Sequence, residues 1–422
     1  GAVPPRPGRP GRGSRLGPLE SPGPPGPGGA PATGPGYRSI MDNPLLMPSE
    51  QELRRRTSIK WRRFPPDVLP AWVAEMDVPL AEPVVRALTE AIARGDTGYP
   101  EPSGYAEAFA DFAKARWGWE LDPGRTAAVP DVMRGIVEIL RLVTGDGDAV
   151  ILNPPVYPAF FLFLRRLDRR VVPVPLTPGH RLDLDALETA FAQATAGGRR
   201  AAYLLCSPHN PTGTVHTRQE LAAVSELAAR HRVRVVADEI HAPLVYPEAE
   251  HVPYLSLPGT GDAFALLSAS KAWNLAGVKA AIAVAGEDAA DELARLPEDV
   301  GYGVTHLGVI GHTAALRHGR EWLDALLAGL DANRRLLADL LAEHLPQVRY
   351  RPPEGTYLAW LDCRALELPG DPAEVFLERG RVGLSPGPSF GPGGEGHVRL
   401  NFATSPRLLT EIVRRMAAAV PR

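Results

Sequence analysis

The chain has 422 residues, 44% of them hydrophobic and 23% charged, which is material for a large core in an ordinary globular protein. A formal net charge of -3 argues against a general nucleic-acid or membrane-surface protein, and the absence of any apolar run of about 18 residues argues against a transmembrane helix. Two cysteines, Cys206 and Cys363, exclude a disulfide framework, fit a reducing cytoplasm and read as core residues rather than nucleophiles.

Residues 1–40 are dominated by Gly and Pro and carry Arg6, Arg9, Arg12, Arg15 and Arg38 against a single acid, Glu20. Such a segment cannot bury enough surface to offset its ordering entropy, and it lacks the apolar core of a secretory signal. It is expected to be a disordered tail, with Met41 as the natural beginning. A nucleic-acid arm is the lesser alternative.

Helical spacing of apolar residues follows over Pro83 to Arg94 and Arg134 to Val143. Short apolar runs then alternate with amphipathic stretches such as Arg218 to His231. The runs are Ala149 to Leu152, Arg170 to Val174, Ala201 to Leu205, Val233 to Ala237, Ala263 to Leu267 and Ala280 to Ala285. This alternation predicts an α/β fold with a mainly parallel sheet covered by helices on both faces, and places functional groups at the carboxyl ends of the strands. The last third changes character. A long helical region near Glu321 to His344 precedes alternating strands around Gly355 to Leu361 and His397 to Phe402, then a terminal helix from Pro406. The expected organisation is residues 86–318 as the large domain, 319–422 as a smaller α+β domain, and 41–85 as an N-terminal segment belonging to the smaller one.

Three successive strand ends carry chemistry. The run to Leu205 leads into Cys206-Ser207-Pro208-His209-Asn210-Pro211-Thr212-Gly213, where two prolines fix the backbone and present one amide. The next run ends in Asp238-Glu239-Ile240-His241, and an Asp at the end of a buried run needs a partner. The third ends in Ser268-Ala269-Ser270-Lys271, where desolvation lets an amine lose its proton and condense with an aldehyde. Read singly, these are a loop, a helix cap and a solvated strand end. One ligand explains all three together: pyridoxal phosphate has a ring oxygen for the amide, a ring nitrogen for the carboxylate and an aldehyde for the amine.

The order and context resemble the fold type I pyridoxal phosphate enzymes of the aspartate aminotransferase superfamily over Leu53 to Val420. The resemblance implies that Lys271 carries the cofactor and shuttles protons, that Asp238 pairs with the ring nitrogen, and that Asn210 contacts the ring oxygen. His241 stands where many relatives have a Tyr. Tyr157, in Asn153-Pro154-Pro155-Val156-Tyr157, matches the aromatic that stacks on the ring. For the phosphate it implies the amides of Val132 and Met133 at a helix N-terminus, Ser268, Ser270 and Lys279. Asp131 is unusual at its position and is expected to point away. Tyr99 matches a Tyr that reaches the phosphate of a neighbouring subunit, which implies a homodimer. Arg399 matches the Arg that holds the substrate carboxylate in a bidentate fork. No metal, nucleic acid or membrane partner is implied.

Two further segments bear on the reaction. Ser58-Ile59-Lys60-Trp61 with Leu69-Pro70-Ala71-Trp72-Val73-Ala74-Glu75-Met76-Asp77, and Pro353-Glu354-Gly355-Thr356-Tyr357-Leu358-Ala359-Trp360, resemble the MalY/PatB type of carbon-sulfur β-lyase, whose members include cystathionine β-lyases. Trp72 becomes a candidate substrate contact. Glu75 replaces the usual Asp, and Val78 a usual aromatic. The resemblance implies β-elimination from L-cystathionine or another cysteine S-conjugate to thiol, pyruvate and ammonia. An aminotransferase of an amino acid is the runner-up, and a non-catalytic regulator retaining the fold is the third reading.

Overall fold

The computed structural model describes residues 43–421, so the expectation of a disordered tail over 1–40 lies outside the described residues. A seven-stranded sheet organises the larger part. Its strands are β1 (Thr126–Val129), β2 (Ala149–Leu152), β3 (Arg170–Pro173), β4 (Ala201–Cys206), β5 (Arg234–Asp238), β6 (Phe264–Leu267) and β7 (Ala281–Ala285). They lie in the order β1-β7-β6-β5-β4-β2-β3, and all neighbours are parallel except β7, which runs antiparallel to both of its neighbours.

The strands read as continuous apolar runs because both faces are covered. Val150 and Leu152 of β2 pack with Ile136, Ile139 and Leu140 of helix α1 (Val132–Val143), while Ala149 and Ile151 face Leu221 and Val224 of helix α2 (Arg218–His231). Alternate residues of a strand therefore build two separate cores. The sheet's edge strand β1 has no counterpart among the predicted runs. It is four residues long, two of them alanine, and three of the four are only partly buried.

The smaller part holds an antiparallel sheet of β8 (Arg349–Tyr350), β9 (Leu358–Asp362), β10 (Ser385–Pro386) and β11 (His397–Asn401), in the order β10-β11-β9-β8. Helices α3 (Arg320–His344) and α4 (Pro406–Ala419) pack with it in a third apolar cluster. Leu69–Pro70 pairs in parallel with Val382–Gly383, and Ala71 N donates to Gly383 O at 2.8 Å. This pairing delivers the segment after Pro70 to the carboxyl edge of the large sheet. There it meets Lys271 and Asn274, which follow β6.

Candidate active site

Strands β4, β5 and β6 are adjacent and parallel, with Cys206 opposite Asp238 and Asp238 opposite Leu266. The chain therefore leaves all three at one edge. Beyond β4 the loop folds on itself through His209 N to Thr214 O at 2.8 Å and Gly213 N to His209 O at 2.7 Å. Gly213 has φ +68°, and a Cβ there would lie 2.1 Å from the Pro353 Cβ, so only glycine closes this loop. Asn210 ends up buried, its Oδ1 accepting from Arg399 Nη1 at 2.9 Å.

Asp238 is 5% exposed, and its Oδ1 accepts from Ile240 N at 3.1 Å. Burial pushes its carboxyl up to about 7, against the lowering effects of that bond and of Lys271. Lys271 is partly accessible, and burial of its amine pushes it down to about 8, with Arg399 adding to the effect. A carboxyl and an amine displaced toward neutrality from opposite sides, one strand apart, are the mark of a reactive site.

Arg399 on β11 is 6% exposed. Its Nη2 donates to Trp72 O at 2.9 Å and to Ser385 Oγ at 3.3 Å, and its guanidinium lies 5.1 Å from the Phe390 ring centroid. Every acceptor it has is neutral, its Nε has no partner, and burial lowers it only to about 10. A buried, fixed, uncompensated cation is a receptor for a carboxylate. Tyr157, half-buried, packs edge-to-face on Phe160 at 5.6 Å. Burial raises its phenol, and the charges it next senses are those of Arg399 and Asp238, which sets the ring among the site residues. His241 is buried, 6.2 Å edge-to-face from Tyr357, with Nδ1 unpartnered; burial and then the Lys271 charge drive it down to about 3, so it is neutral.

Val132 and Met133 open α1, as expected for an anion site. Asp131 does not point away. Its Oδ1 accepts from Arg134 N at 2.8 Å and its Oδ2 from Lys279 Nζ at 2.6 Å, because the positive helix end and the lysine both attract a carboxylate. Ser268 donates its hydroxyl to Ala280 O at 2.7 Å and accepts from Ser270 N at 3.1 Å, while Ser270 is half-buried. Tyr99 is 89% exposed.

The segment 72–77 enters the site through its backbone, which sequence reading did not foresee. The Trp72 indole turns to Lys60 O at 3.4 Å, and it is the Trp72 carbonyl that meets Arg399. Ala74 O accepts from both Lys271 Nζ, at 3.2 Å, and Tyr357 Oη, at 2.9 Å. Asn401 Nδ2 donates to Val73 O at 2.7 Å and to Glu75 O at 2.6 Å. Asn274 brackets Met76, accepting from its N at 2.8 Å and donating to its O at 3.0 Å. Beneath lies a buried ion pair, Lys60 Nζ to Asp77 Oδ2 at 2.9 Å, with Trp61 Nε1 on the other Asp77 oxygen at 2.9 Å. The four-residue and nine-residue signatures thus have a physical content: they build and bolt down this strap.

The family model for aminotransferase class I and II matches residues 73–416. The chain belongs to that family. Within it, the chain is 56% identical over 404 residues to a Mycobacterium tuberculosis protein named "Putative cystathionine beta-lyase", covering 90% of this chain and 99% of that one. It is 35% identical to the cystathionine beta-lyase of Corynebacterium glutamicum, over 89% of this chain and all of the relative. Among solved structures it is similar to cystalysin from Treponema denticola, which contains a pyridoxal 5'-phosphate cofactor, with a TM-score of 0.81, 25% identity, and coverage of 87% of this chain and 96% of that one.

The residues of this class I and II aminotransferase family member fit that cofactor. Asp238 is a carboxyl without a cationic partner and near neutrality, suited to share a proton with a ring nitrogen. Lys271 offers an amine that deprotonates at modest pH, and His241 Nδ1 and Arg399 Nε are buried polar atoms without partners among the described residues. The helix end at Val132 and Lys279 are donors suited to an anion, and the Asp131 carboxylate bonds both.

Proposed function

We propose that this protein is a pyridoxal phosphate-dependent carbon-sulfur β-lyase acting on L-cystathionine or another cysteine S-conjugate. The carrying observation is the bond from Lys271 to the strap: the segment whose sequence resembles the lyase branch is the one that contacts the reactive amine. The names of the C. glutamicum and M. tuberculosis relatives support the same reading. When bound, pyridoxal phosphate supplies an aldehyde for the amine and a ring that withdraws electrons from the substrate α-carbon.

The chain's own residues supply the rest. Arg399 holds the substrate carboxylate and thereby fixes which bond at the α-carbon faces Lys271. Lys271 is the residue that would hold the cofactor through its amine, and the same amine, once free, is placed to take the α-proton of the substrate. Asp238 would support a proton at the ring nitrogen, Asn210 would serve the ring oxygen, and Tyr157 would offer its ring to stack on the cofactor. Val132, Met133, Ser268, Ser270 and Lys279 form the phosphate end. The leaving thiolate departs from the β-carbon, and water completes release of pyruvate and ammonia.

The reading extends to a homodimer in which Tyr99 reaches the partner's phosphate site, supported by its exposure, and to a cytoplasmic setting, supported by two free, buried cysteines. Residues 41–85 join 319–422 in the smaller domain and 86–318 form the larger one, supported by the pairing of Leu69–Pro70 with Val382–Gly383. The test is a panel of cysteine S-conjugates with pyruvate and thiol measured in the absence of any 2-oxo acid. Release of both is expected. Turnover that requires a 2-oxo acid and frees no thiol would establish the aminotransferase instead.

A further inference from the structure

We propose that the main-chain oxygen of Ala74 is the rest position of the Lys271 amine when it is not bonded to the cofactor, and that Tyr357 and Asn401 are positioning residues that hold this oxygen in place. The idea rests on the enzymatic reading above only in assigning α-proton removal to Lys271.

Four observations carry it. A carbonyl oxygen has two lone-pair directions, and at Ala74 both are taken: Tyr357 Oη at 2.9 Å and Lys271 Nζ at 3.2 Å. With Tyr357 seated, the amine has one bonding direction left on that oxygen. The carbonyls on either side, Val73 O and Glu75 O, are both held by the single Nδ2 of Asn401 at 2.7 and 2.6 Å, so the peptides flanking Ala74 cannot rotate independently. Asn401 is itself locked, its Oδ1 accepting from Ala403 N at 2.8 Å and its N donating to Ala71 O at 2.9 Å. Tyr357 is 0% exposed and directly precedes Leu358, which pairs with Asn401 across β9 and β11, so the two positioning residues are delivered by one strand pair.

Packing alone does not require this arrangement, since a buried polar side chain is costly unless its bonds are made, and an apolar residue would fill the same space. What the polar pair provides is a fixed acceptor for an amine. In the step itself the neutral Lys271 amine accepts the substrate α-proton and becomes an ammonium. The electron pair of the broken C–H bond stays on the substrate carbon, in conjugation with the bound cofactor. The ammonium then donates to Ala74 O more strongly than the amine did. Tyr357 competes for the same oxygen and moderates that gain. The other groups facing the amine are Asp238, Glu75, Arg399 and neutral His241.

The test uses holoenzyme in D2O with L-alanine, which has no β leaving group, and follows deuterium entry at the α-carbon by NMR. Tyr357→Phe and Asn401→Ala are each expected to slow exchange by about tenfold or more while retaining bound cofactor, about the loss that follows misplacing a catalytic group by a fraction of an ångström. The pH titration of the holoenzyme's visible absorption band is expected to shift in Tyr357→Phe. In Lys271→Ala with methylamine supplied as base, adding Tyr357→Phe is expected to cost nothing further, because a residue acting through Lys271 has no effect once Lys271 is gone. Exchange within twofold of wild type in Tyr357→Phe, or an equal slowing in the methylamine-rescued background, overturns the proposal. Should Asn401→Ala not fold, Tyr357→Phe, which removes one oxygen, decides alone. Normal alanine exchange with no thiol from any S-conjugate would sink the lyase reading and leave this one standing.

Discussion

The strand ends and the strap position functional groups by opposite means. Asn210, Asp238 and Lys271 stand where they do because three buried parallel strands end in register, so their placement is a by-product of sheet packing. Between Trp72 and Met76 there is no ladder to rely on. Every carbonyl there is caught by a side chain from elsewhere: Arg399 and Ser385 on 72, Asn401 on 73 and 75, Lys271 and Tyr357 on 74, Lys60 on 75, Asn274 on 76. The sheet presents side chains to the substrate; the strap presents backbone to the side chains. Chemistry should therefore fail when a strand-end side chain changes, and stability or positioning should fail when a strap anchor changes.

The largest effect belongs to Lys271→Ala, which removes both the cofactor link and the base. Turnover should fall by about 10⁴-fold, with the visible absorption of the lysine-bound cofactor lost, while thermal unfolding stays near wild type. Retained turnover would show that the strand ends are not the reactive centre. Asp238→Asn should lower turnover by roughly 10²-fold or more, because a neutral amide cannot support a ring proton. It should also stabilise the cofactor-free protein. In the native state the carboxyl holds its proton to about 7, whereas unfolded it ionises near the ordinary 3.8. The native state therefore binds more protons between these values, and stability falls as pH rises from about 4 to about 7. Above 7 the full penalty, up to about 4 kcal/mol, is present in wild type and absent in the variant. The buried neutral histidines, His241 among them, change stability with pH in both proteins alike, so the expected signature is the difference: denaturant midpoints of wild type and Asp238→Asn should lie further apart at pH 8 than at pH 5.

The strap's main anchor is the Lys60–Asp77 pair, with side chains 1% and 2% exposed. Asp77→Ala strands a buried ammonium and should cost about 3 kcal/mol or more, read as a lowered denaturation midpoint. Replacing both partners, as in Lys60→Met with Asp77→Leu, should recover most of that loss, because a buried ion pair contributes little net stability. If the single change costs nothing, the strap does not depend on this anchor.

These differences also decide what could be read from the sequence. A strand end announces itself: the apolar run stops and the polar residue follows, so Asp238 and Lys271 are visible within a few positions. The two-faced core and the crossover units are legible for the same reason. Strand β1, Thr-Ala-Ala-Val, is half alanine and so carries a weaker β signal than the Val-Val run of the other edge strand, β3. The strap's contacts join residues far apart in the chain, 197 positions from Ala74 to Lys271 and 283 to Tyr357. A backbone acceptor, moreover, carries no side-chain signature. Sequence reading therefore found the segment as a family resemblance and named Trp72 in it as a candidate substrate contact, but gave no sign of the carbonyl bonds that tie the segment to the site. It also turned Asp131 away from the expected phosphate position, missing that a helix N-terminus and a lysine together retain a carboxylate.

The smallest predicted effect separates the strap's side chains from its backbone. Ser58 Oγ donates to Glu75 Oε2 at 2.8 Å, an exposed bond and the side-chain tie to the residue that departs from the lyase signature. Exposed bonds of this kind contribute little, so Ser58→Ala should shift stability by about 0.5 kcal/mol or less and leave kcat/KM within twofold. The reason is that Glu75 O is already held by Lys60 and Asn401, and neither bond involves the Glu75 carboxylate. A tenfold loss in kcat/KM with unchanged stability would mean that the carboxylate itself, not the backbone around it, is what the strap brings to Lys271.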